Sequence, residues 1–222
     1  MLEPAAVPEG VAAVFEDEDL LVLEKPSGLL CVPGRGPDKL DCLSKRAEAR
    51  WPGALVVHRL DQATSGLVVM ARNPAAQRLL STAFAEQRIQ KRYQAIVQGD
   101  PQGLAHPGDA SGWSTIDLPI AADWERRPKR IIDAERGKAS QTEWRILGPG
   151  QGAATTRLEL APRTGRTHQL RVHLAAIGHP ILGDALYGDA RSAARLALHA
   201  TRLAFEHPAS GQRLQFVSLP DF

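Results

Sequence analysis

A carboxylate and two basic or near-basic side chains stand close together between two apolar stretches in the first third of the chain. Residues 58–66 read HRLDQATSG, so His58, Arg59 and Asp61 fall within four positions. A carboxylate in such a place can act as a nucleophile or a general base, provided that it is ionised at neutral pH. The same residue types are also common in surface turns, so a simple turn capped by Asp61 is an open alternative.

A second basic group lies in residues 163–173, RTGRTHQLRVH, which contain three arginines, two histidines and no acid. Arg171 follows the apolar Leu170 on a predicted helix and is therefore expected close to the core. A buried guanidinium needs a partner, because removing an unpaired charge from water costs several kcal/mol. Asp61 is the candidate partner, since an adjacent guanidinium keeps a carboxylate ionised. A structural Arg171 that donates to backbone carbonyls is the alternative.

Apolar stretches flank the loop of Asp61 on both sides and predict the strands that hold it, over residues 55–57 and 66–72. Helical spacing and capping residues predict three helices, and alternating patterns predict further strands. The predicted helices cover residues 38–50, 74–87 and 167–177, and the other predicted strands cover 11–25 (a hairpin), 91–97, 115–120, 138–147, 155–161, 196–206 and 213–217. Residues 99–112 predict a loop, and residues 123–137 carry no clear periodicity.

The charge of the chain is small in total but unevenly distributed. The net charge is +2, yet residues 1–24 hold seven acids and no Lys or Arg, whereas residues 126–130 and 163–173 are basic. Local basic clusters of this kind indicate an anionic partner, and phosphate is the obvious one. An ordinary solvated surface is the alternative, and charge alone does not decide between them.

The remaining composition limits the class of protein. The chain has 222 residues, and a hydrophobic content of 43% is typical of a globular protein. Cys31 and Cys42 lack the spacing of a zinc site or a disulfide framework, so free thiols are expected. No apolar run has the length of a membrane span, and none resembles a signal peptide, so we expect a cytoplasmic protein.

Two long stretches carry a family resemblance. HRLDQATSG (58–66) and GRTHQLRVH (165–173) resemble the signature motifs of the RluA family of pseudouridine synthases, and the resemblance extends from Val14 to Phe222. It implies an isomerase that converts uridine to pseudouridine in RNA. It also implies an α+β fold, a mixed, mainly antiparallel sheet with flanking helices and a central RNA-binding cleft. We expect one catalytic domain over residues 1–222, without the S4-type RNA-binding domain that many members carry.

The resemblance also implies a role for individual residues. Asp61 corresponds to the catalytic carboxylate, and Arg171 to the arginine that pairs with it. Tyr93, in KRYQA, corresponds to the tyrosine that stacks on the target base and relays a proton, although a tyrosine in a strand is more often core. The resemblance and the basic clusters together give the expected RNA contacts, which are His58, Arg59, Arg127, Lys129, Arg130, Arg163, Arg166 and His168. EKPSGLL (24–30) is expected to support the active site.

The resemblance is strongest to short members that modify a uridine in a tRNA anticodon stem-loop and one in a hairpin of large-subunit ribosomal RNA. It implies a tRNA or rRNA stem-loop as partner, no cofactor or metal, no membrane, and no protein partner, which makes a monomer the expected state. Two other classes remain open. A metal-free N-glycosidase-like hydrolase would pair Asp61 with a second carboxylate, for which Asp184 is the candidate. A non-catalytic RNA-binding protein would tolerate Asp61→Asn.

Overall fold

The computed structural model describes residues 11–104 and 112–222 and divides the chain into two compact units. The first unit comprises the chain up to Ile89 together with Ala204–Ser218, and the second comprises Gln90–Leu203 with Leu219–Phe222. Residues 105–111 of the predicted loop lie outside the described part. Within the described ranges, no helix is long and apolar enough to cross a membrane. The expectation of a single catalytic domain stays a prediction.

The sheet of the first unit is antiparallel and centres on two apolar strands. Its strands are β1 (Ala12–Glu16), β2 (Leu20–Lys25), β3 (Leu55–Val56), β4 (Ser65–Ala71) and β12 (Arg213–Val217), and residues 204–206 at the end of β11 (Leu198–Glu206) also belong to this unit. β2 lies between β1 and β4, and its register sets Lys25 opposite Gly66. All residues of β4 are buried. A strand that is covered on both faces reads as a continuous apolar run, which is how the sequence predicted it.

Two helices, α1 (Leu43–Arg50) and α2 (Pro74–Ala85), complete the first unit. The predicted helix over 38–50 began too early, because Pro37–Lys39 form a separate 3-10 turn and Leu40 is exposed. α2 begins as predicted: the side chain of Asn73 accepts a hydrogen bond from the backbone N–H of Ala76 at 2.8 Å. This cap satisfies one of the free N–H groups of the first turn.

The second unit contains antiparallel strands in the order β11-β5-β10-β9-β6. Its elements are β5 (Gln90–Gln98), β6 (Ser114–Asp117), β7 (Ile120–Ala122), β8 (Arg130–Ile132), β9 (Gln141–Pro149), β10 (Thr155–Pro162), α3 (Gln169–Ala176) and most of β11. β7 and β8 form a separate two-stranded ribbon. The sequence did not predict this ribbon, because strands of three residues are too short to show a period.

Helix α3 is the most deeply buried helix in the described residues and carries unusual polar groups. It begins after His168, which has a left-handed backbone with φ of 58°, and Gln169 to Leu174 are all buried. The prediction of one apolar face was therefore incomplete, since Arg171 and His173 also point into the protein. Buried polar side chains need hydrogen-bond partners, and those partners define the site described next.

Candidate functional site

The loop that carries Asp61 connects β3 to β4 and is anchored at both ends. Leu60 is buried, and its backbone N–H donates to the sulfur of Cys31 at 3.2 Å. Thr64, also buried, donates its backbone N–H to the carbonyl oxygen of Asp61 at 3.1 Å and closes a turn. Asp61 itself is partly buried, and Arg59 is exposed. The main chain on both sides of the carboxylate is therefore fixed.

Lys25, at the end of β2, lies beneath this loop with none of its surface exposed. Its ammonium donates to three carbonyl oxygens, those of Pro26 at 2.8 Å, Leu29 at 2.8 Å and Gln62 at 3.0 Å. Burial lowers the pKa of Lys25 to about 8, although the nearby charges of Cys31 and Asp61 act in the opposite direction. Lys25 thus ties its own loop to the residue that follows Asp61.

Three further hydrogen bonds join the Lys-Pro-Ser-Gly loop to the Asp61 loop. Ser27 Oγ donates to the carbonyl oxygen of Ala63 at 2.7 Å. The backbone N–H of Gly28 donates to the carbonyl oxygen of Gln62 at 2.9 Å. The side chain of Gln62 returns a bond to the Gly28 carbonyl at 3.0 Å. Gly28 has a φ of 88°, which glycine adopts without steric cost. Residues 25–28 therefore support the Asp61 loop, and the expectation that residues 24–30 support the active site stays a prediction.

His58 makes two contacts that attach it to the first unit. Its Nε2 accepts the backbone N–H of Val69 at 3.0 Å, so this nitrogen carries no proton. Its ring stacks on Phe84 of α2, with 4.3 Å between the centroids. These contacts give His58 a structural part in holding the loop to β4. Its contact with RNA stays a prediction.

Arg171 of α3 forms a buried bidentate ion pair with Asp184. The guanidinium donates from Nε to one carboxylate oxygen at 2.8 Å and from Nη2 to the other at 2.7 Å. The two side chains are only 5% and 0% exposed. Burial alone would raise the pKa of Asp184, but Arg171 and the backbone N–H groups of Leu186 and Tyr187 hold it below its usual value. The sequence predicted a carboxylate for Arg171 but did not predict this one. The pairing of Arg171 with Asp61 stays a prediction.

Tyr187 joins this ion pair to two residues that were expected to contact RNA. The guanidinium carbon of Arg171 lies 5.3 Å from the centre of the Tyr187 ring. The Tyr187 hydroxyl accepts the backbone N–H of Arg130 at 2.8 Å and lies 2.8 Å from Nδ1 of His168. Through these contacts, β8 and the start of α3 are attached to the Arg171–Asp184 pair.

A second buried network fixes the start of α3 against β9. Gln169 accepts from the Thr164 hydroxyl and the Arg166 N–H, and its amide donates to the Gln141 carbonyl and to Thr142. His173 contacts Thr142 Oγ1 at 3.0 Å and the Leu118 carbonyl at 2.9 Å. Burial lowers the pKa of His173, which keeps the imidazole neutral. A fully bonded network of this kind fixes a single orientation of the helix.

The other predicted RNA contacts lie on the surface of the second unit. Arg163 forms an ion pair with Glu143 at 2.8 Å, and Nε of Arg166 donates to the Ala139 carbonyl at 3.2 Å. Arg127 covers the ring of Trp124, with 4.0 Å between the guanidinium carbon and the ring centroid. Lys129 is partly buried in the turn between β7 and β8. Tyr93 lies partly buried in β5, opposite Leu160 of β10.

One group of side chains in the described residues has donor atoms close enough together for a metal ion: Asp17, Asp19 and His207. All three already hold the structure together. His207 Nε2 lies 2.9 Å from Asp17, whose other oxygen accepts the backbone N–H groups of Asp19 and Leu20. Asp19 accepts from the side chain of Asn73 at 2.8 Å. These bonds make the group a structural anchor of the β1–β2 turn.

Comparison with known proteins gives one consistent result. Residues 19–176 match the family model described as RNA pseudouridylate synthase. The chain is 45% identical over 214 residues to the dual-specificity RNA pseudouridine synthase RluA of Escherichia coli K12, covering 94% of this chain and 93% of that protein. It is 42% identical to the RluA protein of Yersinia pestis, covering 94% of this chain and 98% of that one. The structure of human RNA pseudouridylate synthase domain containing 1 superposes with a TM-score of 0.77 at 32% identity, covering 100% of this chain and 87% of that one.

Proposed function

The chain belongs to the RNA pseudouridylate synthase family, and we propose that it forms pseudouridine in two kinds of RNA, a tRNA anticodon stem-loop and a hairpin of large-subunit rRNA. The enzyme is an isomerase that converts uridine to pseudouridine in RNA. The choice of two substrates is supported by relatives from E. coli and Y. pestis that carry the name dual-specificity and match nearly the whole chain. We place the enzyme in the cytoplasm with these RNAs.

Asp61 is the catalytic carboxylate of this proposal. The observation that carries it is the way the main chain around Asp61 is fixed, by Lys25 and Gly28 on Gln62, by Ser27 on Ala63, and by Cys31 on Leu60. A reacting group must be held within a fraction of an ångström of its productive position. A loop that is bonded through its own backbone holds the carboxylate in a defined position.

The reaction is an isomerisation. One bond of the uridine is moved, and the product has the same atomic composition as the substrate. The bond between C1′ and N1 breaks, the uracil turns, and a new bond forms between C1′ and C5. The proton on C5 leaves, and N1 gains one, so no oxidant, reductant or group donor is required. Asp61 acts on the ribose either by adding to C1′ or by removing the C2′ proton. Both routes require an ionised carboxylate, and an adjacent guanidinium favours that form.

Arg171 and Tyr93 complete the proposed catalytic group. Arg171 pairs with Asp61 and orients it, and the position of Arg171 is itself set by Asp184 and by the ring of Tyr187. Tyr93 stacks on the target base and relays the proton that leaves C5. The uridine is extruded from the RNA for this purpose, which costs a few kcal/mol and costs less in a loop than in a duplex.

The remaining proposed residues bind the RNA. Arg59 is exposed on the catalytic loop and enters the space that the extruded base leaves. The other proposed contacts to phosphates and loop bases are His58, Arg127, Lys129, Arg130, Arg163, Arg166 and His168. Phosphate contacts of this kind supply most of the affinity and make it dependent on salt.

The environment of Asp184 favours the isomerase over a hydrolase with two carboxylates. A second catalytic carboxylate would have to act as an acid or base, and in glycosidases the acid has a raised pKa. Asp184 is buried, both of its oxygens accept from Arg171, and its pKa is lowered. It is therefore a structural anion, which leaves Asp61 as the proposed reacting carboxylate.

The test is pseudouridine mapping by mass spectrometry on the two stem-loop RNAs, each incubated with the purified protein. The same mapping is made on RNA from cells that lack the protein. We expect pseudouridine at one loop uridine of each RNA, loss of both in the cells, and recovery with the wild-type gene but not with Asp61→Asn. Recovery with Asp189→Asn, a change at an exposed surface acid, is the matched control. Pseudouridine in only one RNA would overturn the dual specificity, and pseudouridine in neither would overturn the substrate assignment.

A further inference from the structure

A cavity of about 530 Å³ lies in the second unit, between the β7–β8 ribbon and residues 165–167. Four basic side chains line it, those of Arg130, Arg136, Lys138 and Arg166. Within the described part of the chain, no acidic residue lines it. We call this space the ribbon cavity. Arg136 is paired with Asp133 at 2.7 Å, so the positive potential of the cavity comes from Arg130, Lys138 and Arg166. Three cations around one space favour an anionic ligand.

Arg130 gives the ribbon cavity a specific binding group. Its Nε is the one buried side-chain nitrogen or oxygen among the described residues that has no hydrogen-bond partner. A buried donor without a partner is costly, and more so when it belongs to a charged group. The backbone of Arg130 is held by the Tyr187 hydroxyl, so the guanidinium is presented from a fixed strand. A planar guanidinium binds the oxygens of a phosphate with particular fit.

Trp124 adds an aromatic surface to the same cavity. Its side chain is 70% exposed, although it is the largest apolar side chain that the ribbon carries. Arg127 lies over one face of its ring at 4.0 Å, and Trp124 itself lines the cavity. Exposed aromatic rings beside arginines are how proteins bind unpaired bases, because each base can stack on the ring. A phosphate group and an adjacent base are the two parts of a nucleotide.

We propose that the ribbon cavity binds one unpaired nucleotide of the RNA substrate other than the target uridine. Its base stacks on Trp124, and its phosphate is bound by Arg130 within the field of Lys138 and Arg166. The nucleotide is not the reacting one, because the described lining of the cavity holds no carboxylate to act on its ribose. The inference rests on the proposed function and adds a requirement to it: the substrate loop must offer a second unstacked base.

The experiment is a mutant cycle between the protein and the RNA. Each loop nucleotide of the anticodon stem-loop, apart from the target uridine, is replaced in turn by an abasic residue. The dissociation constant, from fluorescence anisotropy, and kcat/KM for pseudouridine formation are measured for wild type, Trp124→Ala and Trp124→Phe. Leu79→Ala, at an exposed apolar residue of α2, is the control variant.

The cavity predicts one loop position with a particular behaviour. There, the abasic residue weakens wild-type binding by about 5-fold to 150-fold, the range for one base stacked on one aromatic ring. The same abasic residue has no further effect on Trp124→Ala, whereas Trp124→Phe and Leu79→Ala retain most of the sensitivity. Arg130→Gln lowers the slope of log affinity against log salt by about one, because one phosphate contact is lost.

The proposal is overturned if the fold-changes in the dissociation constant caused by Trp124→Ala and by each abasic residue multiply at every loop position. No base would then depend on the Trp124 ring for its contribution to binding. Retention of the wild-type salt slope by Arg130→Gln would remove the phosphate contact. Pseudouridine formation by the wild type on the unmodified stem-loop tests the proposed function separately. If that reaction fails, the anisotropy cycle still decides whether the cavity binds a nucleotide.

Discussion

Lys25 and Arg171 are both buried cations, and the structure satisfies them in opposite ways. Lys25 of the first unit is fully buried and donates only to neutral carbonyl oxygens among its described contacts. Arg171 of the second unit is 5% exposed and donates to the ionised Asp184. One cation is surrounded by dipoles of its own main chain, and the other is paired with an opposite charge.

The difference has a consequence for protonation. Dipoles offset only part of the cost of removing an ammonium from water, so burial lowers the pKa of Lys25 to about 8. A carboxylate offsets more of that cost, and the pKa of Asp184 is lowered, which means that the pair stays ionised. Lys25 therefore organises the backbone of two loops at a cost in stability, whereas Arg171 and Asp184 form a permanent link between α3 and the loop after it.

The largest effect is expected from removing the charge of Asp184. Asp184→Asn leaves the buried guanidinium of Arg171 without an ionic partner, and breaking such a pair costs about 3–5 kcal/mol of unfolding free energy. Urea denaturation followed by circular dichroism measures this. Asp189→Asn, which breaks an exposed ion pair, is the control and should cost at most about 1 kcal/mol. Equal stability of the two variants would show that the Arg171–Asp184 pair is no stronger than a surface contact.

A smaller effect is expected at Lys25. Lys25→Met leaves the carbonyl oxygens of Pro26 and Leu29 without the lysine donor, whereas that of Gln62 keeps the Gly28 N–H. The change also removes the cost of burying the charge. We therefore expect a loss of about 2–3 kcal/mol in unfolding free energy, less than for Asp184→Asn. Because the variant loosens the Asp61 loop, kcat should fall more than KM rises. A rise in KM with unchanged kcat would contradict a role for Lys25 in positioning the loop.

The cost of burying the charge of Lys25 should appear in the pH dependence of stability. The pKa of Lys25 is about 8 in the folded protein and about 10.4 in the unfolded chain, so between these values the unfolded chain binds more protons. The free energy of unfolding of the wild type relative to Lys25→Met should therefore rise with pH across this window, by up to about 1.4 kcal/mol per pH unit. Denaturation of both proteins at pH 7.5, 8.5 and 9.5 (about one unit apart, across the shift) measures it. A difference that falls with pH would mean that the folded protein prefers the charged amine.

The smallest effects are expected from two serine hydroxyls, one that bonds to the loop of Asp61 and one that bonds next to Asp184. Ser27 donates to the Ala63 carbonyl beside Asp61, and Ser192 accepts the N–H of Gly183 beside Asp184. Each change to alanine should cost about 1 kcal/mol of unfolding free energy, the value of a typical hydrogen bond. Only Ser27→Ala should also lower kcat, because only Ser27 bonds to the loop of Asp61. Equal losses of kcat in both variants would remove that distinction.

The sequence patterns predicted the helices and strands that are determined by residues close together in the sequence. The continuous apolar run of β4 reflects its burial on both faces, and Asn73–Pro74 carry the cap of α2 within four residues. The β7–β8 ribbon was missed because its strands are short and one of them is fixed by Tyr187, which is distant in sequence. Such contacts leave no periodic signal in the ribbon itself.

In the candidate site, too, the sequence predicted what nearby residues determine and missed what distant contacts determine. Asp61 and Arg171 were found from the two long motifs, and the need of Arg171 for a carboxylate followed from its predicted burial. The identity of that carboxylate did not follow, because Asp184 lies 13 positions away and was considered only as the second carboxylate of a hydrolase. Lys25 was assigned only to a supporting loop, since a lysine at the end of a strand is normally exposed. Its burial is a property of the fold around it.

The most direct test of the account is a single-turnover measurement on Asp61→Asn with the anticodon stem-loop RNA in the presence of excess enzyme. Pseudouridine is quantified by mass spectrometry over time, and RNA affinity is measured in parallel by fluorescence anisotropy. The substituted amide has the same size as the carboxylate but cannot act as a nucleophile or base, so we expect normal RNA affinity and no pseudouridine. Formation of pseudouridine by this variant at the wild-type rate would contradict the assignment of Asp61 as the catalytic carboxylate.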